Sequence, residues 1–168
     1  MKQPAGFTVV ELLIVIVILG ILLTLAVVNL TSGQVGARDE ERETDTTVIA
    51  SNLETFYSSG NGTLPAGSYP GVDQLASETT FLTALRDLDP SALRAPGYTG
   101  GTISLVPATN SVATTAGVLP QPTNTTYVYQ PLLNGSLCAT TASKCRSFVL
   151  YYKSESTNTV IAVKSKNQ

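Results

Sequence analysis

Few residues in this sequence are able to do chemistry. It has no histidine and no tryptophan, so imidazole acid–base catalysis and His-ligated zinc are excluded. Two cysteines, Cys138 and Cys145, are too few for a zinc site, and no other good ligand lies near them in the sequence. They read either as one short disulfide in an oxidising, extracytoplasmic compartment or as two reduced thiols in a cytosolic loop. Asp87 and Asp89 are spaced as a carboxylate pair, yet Asp87-Leu88-Asp89-Pro90 reads better as a helix end and a turn. Charged residues make up only 13% of the chain and the net charge is -2. That argues against nucleic-acid binding, which needs a basic face to neutralise phosphates. The expectation is a non-enzyme without cofactor or metal. One carboxylate stands apart: Glu11 is the only ionisable side chain between Phe7 and Leu30. An acid in so apolar a segment usually has a partner or a function.

The elements around these residues follow from patterning. Met1 to Gly6 is polar with one cation, Lys2, and Phe7 to Leu30 is nearly all apolar. About 20 such residues suffice to cross a bilayer. The composition flips at Arg38, where Arg38, Asp39, Glu40, Glu41, Arg42, Glu43 and Asp45 come almost in a row. Ile49, Leu53, Phe56 and Tyr57 then recur at helical spacing until Ser58 to Gly62 breaks the pattern. One long helix from Phe7 to Ser59 is predicted, apolar all round in its first half and amphipathic in its second. Tyr69-Pro70-Gly71 reads as a turn. Ser77 is placed to cap a short helix carrying Phe81, Leu82, Leu85 and Leu88. A strand near 103–106 opens a long loop to Thr126. Thr126 to Gln130, Ser147 to Lys153 and Thr159 to Lys164 read as strands, the last two joined by a hairpin connection over Ser154 to Asn158. The fold class is α+β: the long helix packed on a small antiparallel sheet of three or four strands. Its segments are 1–6, 7–30, 31–60, a variable connection over 61–126, and strands with the cysteine loop over 127–168.

Three ordinary readings compete for the apolar run: a secretory signal with a cleavage site at Thr24-Leu25-Ala26, a plain anchor, or a buried core helix. The order of features favours a fourth. Gly6 stands directly before Phe7-Thr8-Val9-Val10-Glu11-Leu12-Leu13. This resembles the type IV prepilin signature of pilins and pseudopilins. The resemblance implies cleavage between Gly6 and Phe7 by a prepilin peptidase, N-methylation of Phe7, and an assembly role for Phe7 and Glu11. Cutting ahead of the apolar run would keep the anchor on the mature chain. Gly20 falls where many members have a helix glycine, whereas Val28 stands where many have a proline linked to local helix melting. Any flexible joint is therefore expected at Gly20, or at Gly33 and Gly36. Export implied by the signature also favours a Cys138–Cys145 disulfide over free thiols.

The leading expectation is a structural subunit of a surface type IV pilus. It would sit in the cytoplasmic membrane with a single pass before assembly and in an extracellular filament afterwards. Its implied partners are copies of itself, the prepilin peptidase, an assembly ATPase and a platform protein. Adhesion, motility and DNA uptake all remain open. A pseudopilin of a type II secretion or DNA-uptake system is the alternative; Glu155 is the only acid near the C-terminus, a poor basis for the calcium site common in major pseudopilins. A tethered binding module that never polymerises is a third reading. The run Arg38 to Asp45 reads as a solvated helix face with local pairs Arg38–Glu41 and Arg42–Asp45, or as a fibre contact. Sequons at Asn61, Asn124 and Asn134 are weighed as chance matches. Tyr127, Tyr129, Tyr151 and Tyr152 read as sheet packing rather than a ligand platform.

Overall fold

The computed structural model describes residues 6–62, 64–100 and 103–167; for residues 26–31 and 143 only the backbone is described. The leader before Gly6, the side chain of Val28 and the end of the apolar run lie outside the described residues, as does Thr63 of the first sequon. The chain divides into two compact units, Met1–Ala37 and Arg38–Gln168.

A single helix, α1, covers Val9–Ser59. It starts later than Phe7 because Thr8 caps it: the Thr8 hydroxyl accepts from Glu11 N–H at 3.2 Å, while the Glu11 carboxylate accepts from Thr8 N–H at 2.9 Å. This reciprocal capping box satisfies donors that a helix start leaves unpaired. In the second unit Arg42, Thr46, Ile49, Leu53 and Phe56 are buried. Their spacing of alternately four and three residues keeps them on one face. Thr46 is tolerated there because its hydroxyl donates to the Arg42 carbonyl at 2.8 Å.

That face packs on a five-stranded sheet of β1 (Leu105–Pro107), β2 (Tyr127–Leu133), β3 (Ser136–Leu137), β4 (Ser147–Lys153) and β5 (Val160–Lys164). The order is β1-β2-β4-β5, with β3 paired to β2. The β2, β3, β4 and β5 pairings are antiparallel as expected. β1 departs from that expectation: it lies parallel to β2, Leu105 opposite Tyr127. The long connection from 108 to 126 gives β1 the reach for a parallel return, which a tight hairpin could not supply. β2 runs past the expected Gln130 because Pro131 needs no donor there; its carbonyl accepts from Cys138 N–H at 2.9 Å. Asn134 (φ 50°) and Gly135 (φ 78°) form the two-residue turn into β3, a signal present in the sequence as Asn-Gly.

The sheet is covered on both faces. Ile49, Leu53 and Phe56 meet Tyr127, Tyr129, Phe148, Leu150 and Tyr152 on one side. On the other, Ala108 and Val118 of the long loop cover Val128, Leu132, Val149 and Tyr151. The expected loop is thus a lid with its own structure: Asn110 bridges it, donating to Gly117 O at 2.7 Å and accepting from Leu119 N–H at 3.0 Å. All four tyrosines named above are buried in this packing.

The short helix α2 spans Glu78–Ala84, and Ser77 caps it through Thr80 N–H at 3.1 Å. It stops before Leu85 and Leu88, which still enter the core. Tyr69-Pro70-Gly71 is not a turn. It is buried, extended backbone bridged to Cys145, with Tyr69 N–H donating to Cys145 O at 2.9 Å. Gly71 is required by close approach: a Cβ there would lie 2.5 Å from the Thr140 carbonyl carbon and the Thr141 nitrogen.

Candidate functional site

In the first unit the prepared residues lie in open space. Phe7 is 85% exposed, and a Cβ on Gly6 would meet nothing within 4 Å. From Val9 to Leu25 the large apolar side chains are all exposed, the least of them, Val15, by 48%. The spacing that hides one face of the later helix is absent here; every face is apolar and none is covered. Glu11 is the polar exception. One of its oxygens accepts from both the backbone and the hydroxyl of Thr8, each at 2.9 Å. Thr8 is the residue the sequence reading passed over, although Thr8-Val9-Val10-Glu11 has the Ser/Thr-x-x-Glu form that announces a capping box. α1 runs unbroken through Gly20, Gly33 and Gly36, each with open space at its Cβ position. Thr24, of the alternative secretory cleavage site, is mid-helix and donates to Ile21 O at 2.7 Å.

In the second unit the charged run beginning at Arg38 is divided: Glu40, Glu41 and Glu43 are exposed as a solvated face, while Arg38, Asp39 and Arg42 form a clasp. Arg38 pairs with Glu155 at 2.6 Å, not with Glu41. Arg42, only 1% exposed, contacts Asp39 at 2.9 Å, Glu155 at 3.2 Å and the Asn124 carbonyl at 2.9 Å, not Asp45. Asp39 in turn receives the backbone N–H groups of Glu155 and Ser156 and the hydroxyls of Ser154 and Ser156. Burial pushes the Asp39 carboxyl up, but these hydrogen bonds win and hold it well below the usual range. Asp45 behaves oppositely. Burial raises it to about 6, although the Tyr127 hydroxyl donates to it at 2.8 Å, and the nearby charges of Glu41 and Asp89 add to the rise. Sequence spacing offered only i,i+3 partners; apart from Arg42–Asp39, the partners found lie more than 80 positions away, in the loop before β2, at Tyr127 and in the β4–β5 connection.

Cys138 and Cys145 form a disulfide, and both are buried. Their loop receives the segment after Tyr69: Val72 N–H donates to Cys138 O at 3.1 Å, and Asp73 accepts from the backbone and hydroxyl of Thr141 at 3.0 and 2.9 Å. Of the two carboxylates Asp87 and Asp89, the second acts as a cap. Asp89 Oδ1 caps the 3₁₀ turn Pro90–Leu93 through Ser91 N–H at 2.9 Å.

Residues 1–27 match the family model described as the prokaryotic N-terminal methylation motif. No curated protein and no solved structure matches the chain. The N-terminal segment is therefore a prepilin-type cleavage and methylation motif. The match covers the N-terminal segment alone and supports a type IV pilin-like or pseudopilin reading of the chain. Among the described residues no helix is long and apolar enough to cross a membrane; the side chains described in the apolar run end at Leu25.

Proposed function

We propose that this chain is a structural, non-catalytic subunit of a surface type IV pilus, inserted in the cytoplasmic membrane by its N-terminal helix and then polymerised through it. The observation that carries this reading is the methylation motif over residues 1–27 together with a helix whose apolar side chains from Val9 to Leu25 are exposed on every side. A globular protein rarely leaves so large an apolar surface bare unless lipid or another chain covers it. Cleavage after Gly6 would keep that surface on the mature subunit. Lipid is as apolar as these side chains, so transfer into a fibre core would be governed by packing rather than by hydrophobicity. Glu11 would supply direction. Its Oε2 is held by Thr8, while Oε1 has no hydrogen-bond partner among the described residues. The amine created on Phe7 of an incoming subunit would neutralise it, cancelling two charges that are costly in lipid.

Processing gives the first test. Mass spectrometry of the mature protein should show Phe7 at the N-terminus carrying one methyl group, and Gly6→Val should leave the precursor uncut. A terminus near Val27 would identify a secretory signal and sink the reading. Electron microscopy of sheared surface fibres then separates the two kinds of filament. Surface fibres with this chain as main component are expected; processed protein without surface fibres would point to a pseudopilin.

A further inference from the structure

Spacing alone ranks three Asn-x-Ser/Thr triplets equally: Asn61-Gly62-Thr63, Asn124-Thr125-Thr126 and Asn134-Gly135-Ser136. The fold separates them. A side-chain amide that takes a sugar must reach solvent and be released from other contacts, with an accessible hydroxyl two residues on.

Asn61 is engaged inside the domain. Its Nδ2 donates to Thr83 O at 3.1 Å and to Ala84 O at 3.3 Å, and its Oδ1 accepts from Leu64 N–H at 2.7 Å. A sugar on that nitrogen would compete with contacts that tie this loop to α2. Asn124 is held too. Its carbonyl accepts from Arg42 Nε at 2.9 Å, and its Oδ1 is buried. The Thr126 hydroxyl is also taken: its oxygen accepts from Thr123 N–H at 3.0 Å and lies 2.8 Å from the Thr123 hydroxyl.

Asn134 has none of these ties. With Gly135 it forms the turn between β2 and β3, and Asn134, Gly135 and Ser136 are all exposed. Neither the Asn134 side chain nor the Ser136 hydroxyl makes a hydrogen bond among the described residues. A Cβ built on Gly135 would meet nothing within 4 Å, so the tip stands in open space. The turn needs Asn134 for its backbone, since asparagine tolerates a positive φ better than most residues. It does not need the amide nitrogen.

We propose that Asn134 is an N-glycosylation site, taking an oligosaccharide from a lipid-pyrophosphate donor on the exported side of the membrane. The amide nitrogen attacks the anomeric carbon of the first sugar. A C–N bond forms as the sugar–phosphate C–O bond breaks, the lipid pyrophosphate leaves, and the nitrogen gives up one of its two protons to a base of the transferase. Because the turn does not use that amide, the sugar fits the domain whether it is added before or after folding. The export that this requires rests on the filament reading.

Mass spectrometry of the protein recovered from membranes and sheared fibres of producing cells tests the site. A peptide holding Asn134 is expected to carry a glycan that fragmentation places on the amide of that residue. Asn134→Gln and Ser136→Ala should each abolish it, whereas Ser136→Thr should keep it. The Ser136 variants leave Asn134 and its turn in place, so their contrast reports recognition of the triplet and not folding of the hairpin. A bare Asn134 in protein that starts at Phe7 would overturn the proposal and leave the filament reading intact. A glycan on Asn61 or Asn124 in its stead, or one on Asn134 that survives Ser136→Ala, would overturn it as well. A chain that keeps its leader and is bare at Asn134 would overturn both readings.

Discussion

One helix serves two regions that obey different rules. From Arg42 to Phe56 the side chains of α1 are sorted: those at alternate spacings of four and three are buried and the rest are half-buried or exposed. From Val9 to Leu25 nothing is sorted, and every large apolar side chain is exposed. The charges differ in the same way. Arg42 and Asp39 pair with each other and with partners from the loop before β2 and the β4–β5 connection. Glu11 has only its neighbour Thr8. The difference teaches that the later stretch is written for contacts within the chain, while the earlier stretch is written for an environment the chain itself does not contain.

Breaking each region should have consequences of a different kind. The largest effect is expected in the N-terminal region. Glu11→Val should leave cleavage and membrane insertion intact while fibres disappear from electron micrographs. Normal fibre number and length would show that the Phe7–Glu11 pairing does not operate here. In the clasp, Arg42→Met should remove a buried cation from Asp39 and Glu155. That leaves two partly buried acids without it and should cost about 2–3 kcal/mol. Thermal unfolding of the detergent-solubilised chain would register it, with leader cleavage unchanged. Replacing Cys138 and Cys145 together by Ser should cost about 2–3 kcal/mol by the chain-entropy estimate for so short a loop. The same melting experiment, run with and without reductant, should show a reductant-dependent midpoint only for the native pair.

Smaller effects depend on pH. Burial lifts Asp45 from 3.8 to about 6. Its ionisation therefore opposes folding. The fold is spared this cost below the unfolded value near 3.8 and bears it in full once the pH has risen through about 6. Asp45→Asn, which still accepts from Tyr127, should match the native chain at pH 4. Above pH 7 it should be more stable by about 1 kcal/mol, allowing for solvent screening. Asp39 has the opposite sign: its lowered carboxyl stabilises the fold above its unfolded value of 3.8, and that contribution is lost as the pH falls below it. Smallest of all, Thr8→Val should fray the first turn of α1 by about 1 kcal/mol, seen as faster amide exchange near Val9 to Glu11.

Much of the scaffold could be read from local pattern. The long helix, the Ser77 cap and the strands at Ser147 to Lys153 and Val160 to Lys164 all carry signals within a few residues of themselves. The misreadings share a cause. Tyr69-Pro70-Gly71 has turn composition, yet the disulfide loop docks against it and pulls it straight. Arg38 to Asp45 has the composition of a solvated face, yet three of its charges serve the β4–β5 connection. The parallel pairing of β1 rests on a contact between strands some 20 positions apart. No window of sequence short enough to show a period contains such partners.

The division follows the range of the forces. The sequence by itself determined the processing motif over residues 1–27, because such a motif is a short linear segment. It likewise determined the apolar character of the helix behind that motif, since hydrophobicity belongs to each residue alone. Tertiary structure alone decided which carboxylates are held low or pushed high, which cations are spent inside the domain, and which acids remain on the outer face of α1. Those outcomes depend on burial and on hydrogen bonds between residues brought together only by folding.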